Sequence, residues 1–327
     1  MKKKGETDVT ENTDSYPVEI EAPDIGAYRK GNTGIDYISS FDSGRPGPHA
    51  MIAAVVHGNE ICGPITLDFL FRNEVRPLRG KLTFGFLNVA AFLNFDPARP
   101  EMSRWVDEDF NRIWDIDVLD GPRDSVELRR AREIRPVVDQ VDFLLDLHSM
   151  QHPTAPLMLA GPTEKGRTFA RELGYPQHVM SDAGHAAGRR LRDYAAFADE
   201  NSPRNALLVE CGQHWEKSSV TVARETALRF LLNFGMVEPA FAEAHLSSVP
   251  LPQQKVIGVT GPVTIRSQAF RFAEPYVGLE IIEKAGTVIG WDGNEEVRTP
   301  YDDCVLVMPS RRLFKGQTAV RFGRIVD

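Results

Sequence analysis

The chain has 327 residues, of which 42% are hydrophobic and 26% are charged, so it can form one large domain and a smaller one. Its formal net charge of −8 argues against a nucleic-acid partner, because binding to phosphates requires basic patches. The three cysteines are widely spaced and form neither a disulfide framework nor a Cys-x-x-Cys metal motif, which predicts a cytoplasmic location.

The N-terminal residues 1–16 contain lysines but no apolar stretch, so they predict a disordered arm and not a signal peptide. No later run approaches the roughly 18 consecutive apolar residues that a membrane span requires. We therefore expect no membrane partner.

Between residues 17 and 248, short strand-like runs alternate with helical patterns. The strand-like runs are apolar on both faces, as in a covered parallel sheet, and occupy 50–56, 81–89, 141–147, 156–161 and 205–211. The helical patterns occupy 63–75, 164–174 and 218–235. This alternation predicts an α/β domain over 17–248, with a mixed, mostly parallel sheet and helices on both faces.

The pattern changes after a proline-containing polar stretch at 245–254, which is typical of a linker. Beyond it, strand-like runs follow one another with glycine turns between them and no helical pattern. We therefore predict a small all-β domain over 252–327.

Polar residues lie at or just past the ends of four predicted strands. They are His57, Asn88, His148 and Glu210. In open α/β sheets, ligands bind beyond the carboxyl ends of the strands, so these side chains can converge from distant parts of the chain. Two imidazoles and the carboxylate of Glu60 form a suitable set for Zn²⁺, with water in the fourth position.

A zinc-bound water has its pKa lowered to about 7 and becomes a nucleophile at neutral pH. The reaction also needs a base that takes the water proton and passes it to the leaving amine, and Glu210 is our candidate.

A purely structural role would explain each of these candidate residues equally well if it were considered alone. Eight histidines and 46 acidic residues in 327 positions make about one His-x-x-acid pair expected by chance, so the spacing of His57 and Glu60 also fits a structural histidine. His148 can instead be a strand-end histidine that is hydrogen-bonded to Asp146. The hypothesis of a metal site depends on their joint placement.

A charged, irregular segment follows the second of these strands. Between 88 and 114 it concentrates Arg104, Asp109, Asn111 and Arg112. An arginine binds a carboxylate through two parallel hydrogen bonds, and an asparagine adds its amide hydrogens. The alternative is a solvated loop with no binding role.

Four segments in this order resemble the succinylglutamate desuccinylase/aspartoacylase family of zinc-dependent amidohydrolases with a carboxypeptidase-A-like fold. They are VVHGNEICGPITLDFL at 55–70, NVAAF followed by SRWVDEDFNRIW between 88 and 114, LLDLHSM at 144–150 and LLVECG at 207–212. One departure is Phe110, which stands where the family usually has leucine and is an apolar exchange. The resemblance implies that His57, Glu60 and His148 bind one Zn²⁺ per chain and that Glu210 is the general base.

The resemblance also implies roles for the charged segment. Asn111 and Arg112 would grip a substrate carboxylate, and Arg104 would polarise the scissile carbonyl and stabilise the tetrahedral oxyanion. A cation has this effect because negative charge develops there in the transition state. Aspartoacylases use a further arginine for the acyl-side carboxylate, for which the candidates are Arg189, Arg190, Arg192 and Arg204.

The C-terminal region is similar to the lipoyl-like β-domain of the branch that resembles N-acetyl-diaminobutyrate deacetylases of the ectoine pathway. Cys304 stands at its turn where glycine is usual, and the turn has no lysine for lipoylation, so we expect no covalent cofactor. This domain is expected to pack beside the mouth of the site or to form a contact in a homo-oligomer. Tyr276 is expected to be an ordinary half-buried tyrosine.

The leading hypothesis is a zinc hydrolase that cleaves the amide bond of a small N-acylated amino acid. A carboxypeptidase-like peptidase would share the same site. A catalytically silent protein of the same fold that binds zinc or a metabolite is the third hypothesis, although such a protein has no use for Glu210 as a base.

Overall fold

A computed structural model describes residues 16–184 and 187–326, so the predicted N-terminal arm lies outside the described residues up to position 15. The described α-helices are α1 Cys62–Arg72, α2 Val89–Phe92, α3 Ile116–Asp120, α4 Val126–Val138, α5 Glu164–Leu173, α6 Lys217–Asn233 and α7 Pro239–Glu243. In the described part of the chain, none of these helices has the length and apolar character needed to cross a membrane.

Among the described residues, seven strands precede the linker and seven follow it, and together they form two sheets. Those before the linker are β1 Ile38–Asp42, β2 His49–Ala54, β3 Lys81–Phe86, β4 Phe143–Met150, β5 Leu157–Leu159, β6 His178–Ser181 and β7 Asn205–Gln213. Those after it are β8 Lys255–Thr264, β9 Phe270–Phe272, β10 Glu280–Ile282, β11 Val288–Asp292, β12 Glu295–Arg298, β13 Cys304–Val307 and β14 Thr318–Ile325.

The larger sheet has the strand order β1-β3-β2-β4-β7-β5-β6-β8-β14-β13-β10. At its centre β3, β2, β4 and β7 are parallel, whereas β1 and β5 run antiparallel to their neighbours β3 and β7. This mixed α/β sheet, mostly parallel before the linker, agrees with the sequence prediction. The smaller sheet, β12-β11-β9, is antiparallel.

Helices cover both faces of the central strands. Alternate residues of the fully buried strand β2 point to opposite faces, as the two-residue period of a strand requires. Ile52 and Ala54 belong to an apolar cluster with residues of α1, α5 and α6. Met51 and Ala53 belong to a second cluster with residues of α4. Burial on both faces explains why these strands are apolar throughout.

The region after residue 252 is all-β within the described residues, and it continues the larger sheet. Strand β8 pairs in parallel with β6, and β14, β13 and β10 follow it in antiparallel order. The predicted boundary at 248–252 therefore falls between α7 and β8, while hydrogen bonds of one sheet join the two regions. A separate lipoyl-like domain stays a prediction.

Candidate metal centre

The loop between β2 and α1 carries the first two candidate ligands. Val55 directly follows β2 and has a φ of +66°, which is a strained conformation for a β-branched residue and turns the chain out of the strand. Three residues further along this loop, Gly58 donates its backbone N–H to the carbonyl of Arg104 at 3.1 Å. His57 and Glu60 are thereby held on a short, tightly packed turn at the carboxyl end of β2.

Gly58 has no room for a side chain. A Cβ at this position would lie 2.3 Å from the carbonyl oxygen of Ser103 and 2.5 Å from the backbone nitrogen of Phe92. We expect Gly58→Ala to lower the free energy of unfolding by about 1–3 kcal/mol, because backbone atoms must move apart. Urea denaturation measures this change.

Gly261→Ala is the matched control for that substitution, since a Cβ there would meet nothing within 4 Å. Equal stability of the Gly58→Ala protein and the unsubstituted chain would contradict the close packing of this turn.

Three side chains meet at the carboxyl ends of β2 and β4. His57 Nδ1 lies 2.6 Å from Glu60 Oε1, and His148 Nδ1 lies 2.9 Å from Glu60 Oε2. One potential ligand atom from each of the three residues lies within 4.8 Å of the other two, and all three residues are buried. We predicted from the sequence that these three residues lie together, and they are close together in the structure. Two nitrogen donors and one carboxylate oxygen form a set that can hold a metal ion, and it matches the ligand types of zinc.

Buried charges stabilise one another in this triad. Burial alone would raise the pKa of Glu60, but His57 and His148 outweigh it and hold that pKa well below its usual value. Burial alone would lower the pKa of His148, but the carboxylates of Asp146 and Glu60 raise it well above the ordinary value. The triad thus keeps Glu60 as the anion that metal binding requires.

Asp146 fixes the orientation of the His148 ring. Its Oδ2 accepts a hydrogen bond from Nε2 of His148 at 2.9 Å, so that Nδ1 faces Glu60. The sequence left open whether His148 is bonded to Asp146 or belongs to a metal site, and the geometry satisfies both descriptions. A carboxylate behind a histidine ligand is a common feature of metal sites.

Glu210 lies beside the triad on the neighbouring strand. It is the direct partner of His148 in the register of β4 and β7. Its Oε2 is buried and has no hydrogen-bond partner among the described residues. Burial, followed by the negative charge of Glu60, raises the pKa of Glu210 to about 8. An unpartnered buried carboxylate oxygen is costly and therefore points to a functional role.

Arg104 and Asp109 complete the contacts of His57. Arg104 lies 3.3 Å from Glu60 Oε1 through Nη1 and 3.0 Å from His57 Nε2 through Nη2. Asp109 Oδ1 accepts from His57 Nε2 at 2.9 Å. Burial would raise the pKa of Asp109, but His57 and Arg104 outweigh it and lower that pKa. From the sequence we assigned no role to Asp109, although its position two residues before Asn111 was visible.

A cavity of about 570 Å³ opens over the triad. Asn111, Arg112, Glu210 and His214 line it, as do residues of the C-terminal region, namely Val307, Met308, Pro309, Ser310, Arg312, Thr318 and Arg321. Tyr276 instead packs against an apolar cluster of the β-region. The C-terminal region thus forms one wall of the site.

Asn111 and Arg112 lie on a short 3-10 turn, Phe110–Arg112. The side-chain oxygen of Asn111 accepts from the backbone N–H of Leu191 at 2.8 Å, which leaves its amide hydrogens without a partner among residues 16–184 and 187–326. Arg112 forms no ion pair within the same residues. Burial lowers the pKa of Arg112, which shows that its charge is held in a poorly solvated position. Both groups are available to an anionic ligand.

The four candidate arginines for a second carboxylate differ in position. Arg204 bonds the carbonyls of Val141 and Asp139 near the amino ends of β4 and β7. The cavity lies at the carboxyl ends of these strands, so Arg204 cannot reach it. Arg192 is buried against the carbonyls of Ala160 and Ala206.

The other two candidates are each paired with carboxylates. Arg189 pairs with Asp115. Arg190 lines the cavity, but Asp182 and Asp193 already neutralise it. Arg321, which sequence reasoning missed, reaches the cavity from β14.

Comparisons with known proteins agree with this architecture. The model of the succinylglutamate desuccinylase/aspartoacylase catalytic domain matches residues 46–233. The chain is similar to a solved structure of succinylglutamate desuccinylase from Vibrio cholerae, with 17% identity, a TM-score of 0.66 and coverage of 90% of this chain and 86% of that chain. A search of curated proteins finds no match.

Two further solved structures share the fold. A succinylglutamate desuccinylase/aspartoacylase from Rhodobacter sphaeroides has 16% identity, a TM-score of 0.64 and 89% coverage of both chains. The product-bound ectoine utilization protein EutE (DoeB) from Ruegeria pomeroyi has 15% identity, a TM-score of 0.60 and coverage of 90% of this chain and 92% of that chain. Since the family model spans more than half of the sequence, the chain belongs to the succinylglutamate desuccinylase/aspartoacylase family.

Proposed function

We propose that the protein is a zinc-dependent hydrolase that cleaves the amide bond of a small N-acylated amino acid, with one Zn²⁺ per chain. The observation that carries this proposal is the convergence of the triad His57, Glu60 and His148 with the unpartnered carboxylate of Glu210 at one cavity. Membership of a family of acyl amino acid hydrolases supports the reaction class.

The triad would hold the zinc ion, which when bound polarises the scissile carbonyl and lowers the pKa of water. Glu210 accepts the proton of the attacking water and transfers it to the nitrogen of the leaving amine, so that a carboxylate and an amine are released. Arg104 provides positive charge beside the carbonyl oxygen, where negative charge develops as the water attacks. Asn111 and Arg112 hold a carboxylate of the substrate.

The shape of the cavity favours a small substrate over a peptide. Residues Val307 to Ser310 and Arg312 bound the cavity on the side of the C-terminal region. A peptidase needs an open groove for the rest of the peptide chain, and we infer that a wall on this side leaves less room for one. The unpartnered carboxylate of Glu210 argues against a silent binding protein, because a binding site gains nothing from an unsatisfied buried base.

A hydrolysis screen of the zinc-loaded protein tests the proposal. The panel contains N-acetyl, N-succinyl and N-formyl amino acids together with short peptides, and release of amine is measured. We expect the fastest hydrolysis with an N-acylated amino acid. Preference for peptides would favour the peptidase, and zinc uptake without hydrolysis of any compound would favour the silent protein.

Arg112→Ala is expected to raise KM by about 10- to 100-fold with a much smaller change in kcat. A hydrogen bond to a charged group contributes about 1.5–3 kcal/mol, and this one is made to the bound substrate as well as in the transition state. Steady-state kinetics with the best compound of the screen measure both constants. Arg189→Ala removes an arginine that is paired with Asp115 outside the cavity and should leave KM unchanged. An unchanged KM in Arg112→Ala would rule out the carboxylate grip.

A further inference from the structure

Glu127, in the first turn of α4, is a buried acid whose role the proposed reaction does not explain. Its side chain is completely inaccessible to solvent. Within the described residues it forms no ion pair. An isolated buried carboxylate is strongly destabilising unless several hydrogen bonds compensate for its lost hydration. Its partners therefore indicate what it does.

These partners are three consecutive backbone N–H groups of one loop, residues 104–109, called here the Arg104 loop. Val106 N donates to Oε1 of Glu127 at 2.7 Å. Asp107 N and Glu108 N donate to Oε2 at 3.1 and 3.3 Å. Asn88 adds its side-chain amide to Oε1 at 3.2 Å. Successive N–H groups that converge on an anion form a concave binding site made of backbone.

The loop also holds the helix in return. Asp107 Oδ2 accepts from the backbone N–H of Val126 at 2.8 Å, and the hydroxyl of Ser125 donates to Glu108 Oε1 at 2.6 Å. Residues 104–109 contain no helix or strand, so these contacts with α4 hold the conformation of the loop.

The two ends of this loop carry the groups that contact the triad. Arg104, at one end, reaches His57 and Glu60, and Asp109, at the other end, bonds Nε2 of His57. The carboxylate of Glu127 binds the middle of the loop, between these ends. A displacement of the loop would therefore move both groups relative to the metal-binding triad.

We propose that Glu127 is a positioning residue that holds Arg104 and Asp109 in place against the triad. The proposal rests on the proposed hydrolysis for its kinetic effect but not for its structural effect. A glutamine of the same size keeps one acceptor oxygen and presents an NH₂ group where the other oxygen accepts two backbone N–H groups. Glu127→Gln thus releases part of the loop with little change in packing volume.

Glu127→Gln is expected to lower kcat by about 10- to 100-fold, since a misplacement of about 1 Å can cost this much. KM should change less than kcat, because the side-chain oxygen of Asn111 also accepts from the N–H of Leu191, which lies outside the loop, although Asp109 bonds the backbone N–H of Asn111. The same substitution in an Arg104→Ala background should cost less than it does in the unsubstituted chain, because the part of its effect that acts through Arg104 is already lost. Wild-type kcat in Glu127→Gln, or losses that multiply in the double variant, would overturn the proposal.

Glu225→Gln is the matched control. Glu225 is also a buried acid on a helix, but it pairs with Arg229 on α6. It should leave kcat unchanged. If Glu127→Gln does not fold, Glu127→Asp, which keeps the charge but draws the carboxylate back from the three N–H groups, is held to the same kinetic criteria.

Two measurements do not depend on any substrate. Amide hydrogen exchange at Val106, Asp107 and Glu108 should accelerate in Glu127→Gln, and zinc affinity should fall by about tenfold because Asp109 no longer orients His57. These effects should be present even if the chain hydrolyses no compound of the screen, which would then count against the proposed function alone. Unchanged exchange together with unchanged zinc affinity would overturn the positioning role.

Discussion

Glu210→Gln is expected to lower kcat by about 10²- to 10⁴-fold while zinc binding remains intact, which is the range for loss of a general base. Glutamine has the same shape but cannot accept the proton of the attacking water. Glu210 is not a member of the triad, so the ligand set is unchanged. The measurement is kcat on the best compound of the screen, with the zinc content of the purified protein determined alongside.

The pH dependence gives a second readout for the same substitution. Glu210 acts as a base only when it is deprotonated, and burial raises its pKa to about 8. Activity of the unsubstituted protein should therefore fall as pH decreases, and a bound cation would shift this fall in activity to lower pH. The residual activity of Glu210→Gln should not show this dependence on pH. Equal turnover of the two proteins would show that another group serves as the base.

Removal of the metal is expected to lower activity by about 10³-fold or more, since metal activation of water and carbonyl supplies several kcal/mol. Treatment with a chelator followed by dialysis gives the metal-free protein. Zinc added back should restore the activity and raise Tm, because a ligand that binds only the folded state stabilises it by mass action.

His148→Ala should abolish both responses to zinc, since it removes one of the three proposed ligands. His245→Ala is the control, because His245 is exposed on the surface after α7 and its ring bonds the carbonyl of Phe241, away from the triad. Full activity of the chelated protein would refute the metal mechanism. Greater restoration by Co²⁺ or Mn²⁺ than by Zn²⁺ would correct the identity of the metal.

The triad could be predicted from the sequence because each of its residues comes after an apolar run that is typical of a buried strand. Once β2, β4 and β7 are placed side by side in a parallel sheet, their carboxyl ends must meet at one edge. The sequence does not reveal the register of β4 against β7, which the structure provides. This register makes His148 and Glu210 direct neighbours, and both lie within strands that run further than the apolar runs suggest.

Helix α4 was missed because its four arginines and Pro136 obscure the apolar positions Leu128, Ala131 and Ile134. Glu127 in its first turn resembles any solvated helix acid in the sequence. Its burial arises only when residues 104–109 fold over it, and this is a contact between distant segments without local signal. Asp109 was named in the charged segment but given no role, because its bond to His57 is likewise a contact between distant segments.

From the sequence we expect the C-terminal region beside the mouth of the site or in an oligomer contact, but no local pattern shows that β8 will pair with β6. This pairing places Arg321 on the wall of the cavity, whereas Arg204, which is nearer in sequence to Glu210, lies at the opposite edge of the sheet.

The residues proposed to cleave the bond and the residues of the cavity wall come from different parts of the chain, which the shared sheet joins. The groups assigned to bond cleavage all come from residues before the linker, whereas Met308, Arg312 and Arg321 come from after it. Substitutions in β13, β14 and the segment between them can therefore change the wall of the cavity without altering the residues proposed to cleave the amide bond. That segment is short and adjoins the cavity, so it is the place to vary if the substrate preference of the proposed enzyme is to be changed.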